Sequence, residues 1–201
     1  RVSVTQADGE VVPALLRRPV GAGRGTPGVV FLHGAGTHTI EGFAEQADAL
    51  ASAGATTLVP SKPMEDYSLT ERDYTAMAAD YARSVAYLRA LDGVDPARVG
   101  LYAESEGGYP GVVLAGTDPD IAFLVLASAP VVALREQATF AAGSYLRRVG
   151  VPDALLTLVA RVLGARELPG DSFGYADFDA RPYEERIAAP VLMIYGTGDS
   201  S

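Results

Sequence analysis

Hydrophobic and polar positions change period several times along this chain, and each change marks an element. Val2 and Val4 alternate with polar residues, Asp8-Gly9 is a hairpin turn signal, and Val11 to Leu16 resumes an apolar pattern. That opening predicts an antiparallel pair. After the Gly-rich stretch 21–28, Val29 to Leu32 is a continuous apolar run, as expected for a strand buried on both faces. Phe43 to Ala53 reads as a helix closed by Gly54, and Thr56 to Val59 as a strand stopped by Pro60. Ser68-Leu69-Thr70-Glu71 is a capping-box pattern opening a helix to about Leu91. Ala76, Tyr81, Val85, Leu88 and Leu91 form its core-facing stripe. Val99 to Tyr102 is the next strand, a short helix starts after Ser105, and Ile121 to Ala127 is another buried strand.

The alternation then breaks. Leu134 to Leu163 reads as two helices separated by Gly150-Val151-Pro152, followed by an irregular acidic stretch with Phe173, Tyr175 and Phe178. Val191 to Tyr195 restores the strand pattern. Strands alternating with helices predict right-handed βαβ units, hence an α/β fold with a mostly parallel sheet. The expected organisation is a core over 1–128, a helical cap insertion over 129–189 and a core continuation over 190–201. At 201 residues and 48% hydrophobic content the chain can bury a sizeable core without staples. It has no cysteine, so disulfides, thiolate metal sites and a cysteine nucleophile drop out. A formal net charge of -9 disfavours nucleic acid and anionic membranes as partners. The longest apolar stretch, Ile121 to Leu134, is interrupted by Ser128 and Pro130 and falls short of the roughly 20 residues of a spanning helix.

Chemistry concentrates where the strand Val99-Gly100-Leu101-Tyr102 runs into Ala103-Glu104-Ser105-Glu106-Gly107-Gly108. A tight strand-to-helix turn holds its serine in strained backbone geometry and presses the residues two before and two after it against adjacent chain. Ala103 and Gly107 are small enough for those places. The serine would stand at the carboxyl end of a strand and the amino end of a helix, where free N–H groups favour developing negative charge. This stretch resembles the nucleophile elbow of the α/β-hydrolase superfamily, with Ala103 where the commonest pattern has Gly. Val29 to Leu32 leading into His33-Gly34-Ala35-Gly36 resembles that superfamily's oxyanion loop. Pro190 to Tyr195 leading into Gly196-Thr197-Gly198-Asp199 resembles its acid-bearing turn.

The resemblance implies an α/β-hydrolase fold with antiparallel N-terminal strands, helices on both faces and a cap. It implies Ser105 as nucleophile, Asp199 as the triad acid, and the backbone amides of Ala35 and Glu106 as oxyanion donors. His33, Gly34, Ala103 and Gly107 would shape the motifs. No cofactor or metal is expected, and the partner is a small-molecule ester. Asp177, Asp179 and Glu185 are alternative acids. The superfamily's base follows the acid, yet the only histidines, His33 and His38, precede Asp199. A serine hydroxyl is a poor nucleophile without a base. The expectation is therefore a truncated chain, completed by a further segment or second polypeptide that covers the apolar edge Val191 to Tyr195. His38 or His33 standing in as base is the less favoured alternative. The leading function is a serine hydrolase acting on carboxylic esters. A prolyl-oligopeptidase-like peptidase or amidase is the second enzyme reading, and a non-catalytic hydrolase-fold binding module is the alternative of another class. Glu104 and the Glu106 side chain flank the serine with no assigned role. Phe140, Tyr145 and Leu155 are expected to include residues facing the site.

Overall fold

A computed structural model of the chain describes residues 1–21, 23–36, 39–62, 64, 71–152, 155–156, 175 and 177–197, without the side chains of Ala142 and Tyr145. Strands β1 (Val2–Thr5) and β2 (Val11–Arg17) pair antiparallel with Val4 opposite Val12. Gly9, at φ +97°, supplies the left-handed residue their turn needs. The Gln6 N–H closes that turn on the Glu10 carbonyl at 2.7 Å. Strands β3 (Thr26–Leu32), β4 (Thr56–Pro60), β5 (Val94–Glu104), β6 (Leu124–Ala127) and β7 (Val191–Ile194) follow. The sheet order is β1-β2-β4-β3-β5-β6-β7, antiparallel as far as the β2–β4 pair and parallel from β4 to β7.

Alternate side chains of each central strand enter different cores. Val30 and Leu32 of β3 pack with Tyr74, Met77, Tyr81, Val85 and Leu88 of helix α2 (Tyr74–Arg89) and with Val112 and Val113 of α3 (Gly108–Thr117). Val29 and Phe31 pack on the other face with Phe43 and with Ala47 of α1 (Ala44–Ser52). A sheet covered on both faces needs continuous apolar strands, which is what Val29 to Leu32 supplies.

Several boundaries differ from the sequence expectation, three of them instructively. Helix α2 begins at Tyr74 rather than at the capping-box pattern, whose residues 68–70 lie outside the described residues. The Asp73 carboxylate caps it instead, accepting from the N–H groups of Thr75 (2.8 Å) and Ala76 (3.0 Å). Strand β5 starts five residues early because Val94 pairs with Thr26 across an irregularity before the regular register resumes at Gly28 and Val99. Strand β6 is shorter than expected: Ile121 N–H closes a turn on the Asp118 carbonyl, so the ladder begins at Leu124.

Between β6 and β7 lie helix α4 (Leu134–Arg148) and the short α5 (Arg181–Glu184). The second expected helix, to Leu163, falls mostly outside the described residues. Phe178 fastens this segment to the core: its ring meets those of Tyr74 (4.9 Å) and Tyr109 (5.5 Å), and its carbonyl accepts from Leu134 N–H at 3.0 Å. Strand β7 is the outer strand of the described sheet, and Val191, Leu192, Met193 and Ile194 are all 43–56% exposed.

Candidate active site

Strand β5 ends at Glu104, a single turn spans Ser105–Gly107, and α3 starts at Gly108. Ser105 sits at φ +50°, one of two non-glycine residues with positive φ among the described residues. An L-residue holds that conformation only where its surroundings over-determine it. The packing shows how. A Cβ on Gly107 would lie 2.6 Å from the Leu32 carbonyl oxygen and 2.7 Å from that of His33, and backbone cannot yield. A Cβ on Gly111 would lie 3.1 Å from Ala103 Cβ, so the strand end and α3 are in contact through small residues on both sides. Ala103 is fully buried, Glu104 exposed and Ser105 half-buried.

The loop after β3 comes up against this turn. A Cβ built on Gly34 would meet Ser105 Cβ at 3.2 Å and Ser105 Oγ at 3.7 Å, so any side chain here would crowd the serine. Ala35 and Gly36 are exposed. His33 is buried at 1% exposure and stacks on Phe43 with ring centroids 4.9 Å apart. Its Nε2 lies 2.8 Å from the Pro60 carbonyl. A carbonyl only accepts, so Nε2 carries the hydrogen. The His33 N–H donates to Tyr81 Oη at 3.2 Å. His33 therefore joins the ends of β3 and β4 and the start of the loop. Its Nε2 is committed to a backbone acceptor inside the core.

Beneath the loop and the turn lies a cluster of charge that the sequence pattern did not suggest. The Glu106 carboxylate, 7% exposed, accepts from Lys62 Nζ at 3.1 Å, from Tyr74 Oη at 2.9 Å and from the Arg72 guanidinium. Lys62, whose side chain is fully buried, also donates to the Gly34 carbonyl at 2.5 Å. Burying an ion is costly unless it is paired and hydrogen-bonded, and Glu106 is both. Burial pushes its carboxyl up, but the charges of Lys62 and Arg72 outweigh that and hold it below the ordinary glutamate range. Burial likewise lowers Lys62 against the pull of Glu106. Burial and then the Glu106 charge push the Tyr74 hydroxyl far up, so it remains a protonated donor. The one signal in the sequence was a lysine placed just past the end of a buried strand, which periodicity cannot pair with anything.

Asp177 pairs with Arg135 at 2.9 Å and is 85% exposed, Asp179 pairs with Arg181 at 2.7 Å, and Glu185 is exposed. Phe140 and Leu155 are 51% and 48% exposed. Asp199 and His38 lie outside the described residues, as does the Tyr145 side chain. Among the described residues no group of three or more His, Asp or Glu side chains is placed to hold a metal ion, and no helix is long and apolar enough to cross a membrane.

No family model and no curated protein matches the sequence. Solved structures do. An acetyl xylan esterase from Paenibacillus sp. R4 superposes with a TM-score of 0.67 at 17% identity, over 96% of this chain and 66% of that one. The alpha/beta hydrolase GrgF from Penicillium sp. sh18 gives 0.66 at 14% identity, over 96% and 78%. A hypothetical protein from Pseudomonas aeruginosa gives 0.58 at 16% identity, over 85% of this chain. The chain spans about half the length of that last protein (52%) and two thirds of the esterase (66%). A mixed sheet, parallel apart from its antiparallel N-terminal strands and with helices on both faces, agrees with these neighbours, and the chain has the α/β-hydrolase fold.

Proposed function

We propose that the protein is a serine hydrolase of carboxylic esters with Ser105 as nucleophile. The observation that carries this reading is Ser105 itself, held at φ +50° between β5 and α3 with the Gly34 backbone against its side chain. Strain of that kind persists where a reactive group must be presented. In this reading Ser105 Oγ attacks the ester carbonyl carbon and gives its proton to a histidine. The tetrahedral oxyanion takes hydrogen bonds from the amides of Ala35 and Glu106. The alcohol leaves with that proton, and water then releases the acid from the acyl-enzyme.

Asp199 is proposed to orient the histidine, and the histidine to be one that follows Asp199 in the whole protein. His33 is disfavoured as base because Nε2 is spent on Pro60 in the core. The segment 129–189 is proposed as a cap, with the half-exposed Phe140 and Leu155 contributing to acyl-chain selection.

The test is labelling of the full-length protein with a fluorophosphonate, alongside turnover of a panel of p-nitrophenyl esters and aminoacyl amides. Wild type should label and cleave esters, and Ser105→Ala should lose both, with a rate loss of at least about 10³-fold. Amide cleavage without ester turnover would move the assignment to a peptidase or amidase. A folded, unlabelled wild type would leave a binding module.

A further inference from the structure

The buried ammonium of Lys62 touches two chain segments at once. It donates to the Gly34 carbonyl in the loop after β3 and to the Glu106 carboxylate in the turn after β5. Gly34 C=O and Ala35 N–H belong to one peptide unit. No peptide bond among the described residues is cis, so the two groups point to opposite sides of that unit. Whatever holds the Gly34 oxygen therefore sets the direction of the Ala35 hydrogen. Glycine at 34 and at 36, the latter at φ +93°, leaves this loop with little stiffness of its own. The other contact of Lys62 is with the residue whose amide is the second proposed oxyanion donor.

We propose that Lys62 is a positioning residue of the oxyanion hole: by binding the Gly34 carbonyl from inside while paired to Glu106, it locks the Gly34–Ala35 peptide with its N–H turned outward, in fixed relation to the Glu106 amide. This inference rests on the serine-hydrolase reading. It explains why a fully buried cation is kept at the end of β4, where an apolar residue would pack at lower desolvation cost. It also sets the electrostatics: a positive charge on the far side of the peptide polarises its C=O and strengthens its N–H as a donor.

The experiment uses full-length protein and three measurements on each variant: steady-state ester hydrolysis, inhibition by a phenylboronic acid, and thermal unfolding. A boronate bound to serine is tetrahedral and presents an oxyanion, so its affinity reports the hole. Lys62→Met should lower kcat about 10–100-fold, less than outright loss of a donor, which costs about 10²–10³-fold. KM should stay within about threefold, and boronate inhibition should weaken in parallel with kcat. Arg72→Met is the control. It removes a cation from the same carboxylate but leaves the Lys62 contact with Gly34, so kcat should stay within about threefold even if Tm falls as far. If Lys62→Met does not fold, Lys62→Gln carries the same expectation, since its amide is too short to span both contacts.

Wild-type kcat and boronate affinity in a folded Lys62 variant would overturn the inference and leave the hydrolase reading intact. So would an Arg72→Met loss as large as that of Lys62→Met, because the effect would then belong to the cluster as a whole. Absence of Ser105 labelling in wild type would overturn the hydrolase reading, and this inference with it.

Discussion

At the scale of single residues, Glu106 is where packing, charge and the proposed chemistry meet. Its carboxylate accepts from Lys62, Arg72 and Tyr74, and it is the middle residue of the turn Ser105–Gly107. Glu106→Gln would leave two cations in the core without their anion, which predicts a loss of about 3 kcal/mol in denaturant unfolding at neutral pH. The pH dependence follows from the direction of its shift. The folded protein holds Glu106 below the ordinary value of 4.5 because of Lys62 and Arg72, despite burial. Between the folded and unfolded values the unfolded chain binds more protons, so stability falls as pH falls through that window and the contribution is complete above it. The gap between wild type and Glu106→Gln should therefore stay constant at neutral pH and narrow only as pH falls below the ordinary value of 4.5. A gap that does not narrow below that value would mean that the carboxylate charge contributes nothing.

Helix α2 shows how a whole element serves the site from a distance. Its first residue, Tyr74, donates to Glu106, its residue Tyr81 accepts from the His33 N–H, and its stripe from Met77 to Leu88 fills the core under β3. The start of the helix is set by Asp73, whose single oxygen Oδ1 takes both the Thr75 and Ala76 N–H groups. Moving that start by one residue would swing Tyr74 away from the carboxylate, since each helical residue turns the direction by about 100°. Asp73→Ala should cost about 1 kcal/mol, seen as a drop in Tm of about 2–4 °C. Differential scanning calorimetry of the variant would check this, and an unchanged Tm would mean that the cap is dispensable. Periodicity located this helix but placed its start at Ser68 to Glu71, because several polar residues ahead of Tyr74 can serve as caps. Only the backbone geometry at Asp73 distinguishes among them.

On the scale of the whole molecule, the sheet runs from the antiparallel hairpin β1–β2 to the strand β7, whose Val191, Leu192, Met193 and Ile194 are half-exposed. An apolar outer strand without charge or proline inside it is a template for pairing. The 201-residue chain should therefore self-associate with rising concentration in sedimentation velocity, and Leu192→Lys should suppress this. A concentration-independent monomer would remove the argument. The sequence by itself determined the alternation of buried strands and helices, the antiparallel start and the placement of Ser105 between a strand and a helix. Each of these is encoded locally, by period, by turn residues and by small side chains within a few positions of one another. The tertiary structure alone decided which charges share the ground beneath Ser105. Lys62 is 28 positions from Gly34 and 44 from Glu106, and Arg72 is 34 from Glu106. No periodicity links such positions. They meet because the parallel order β4-β3-β5 brings the carboxyl ends of three strands to one edge of the sheet, and a buried carboxylate there is tolerable only with cations to pair it.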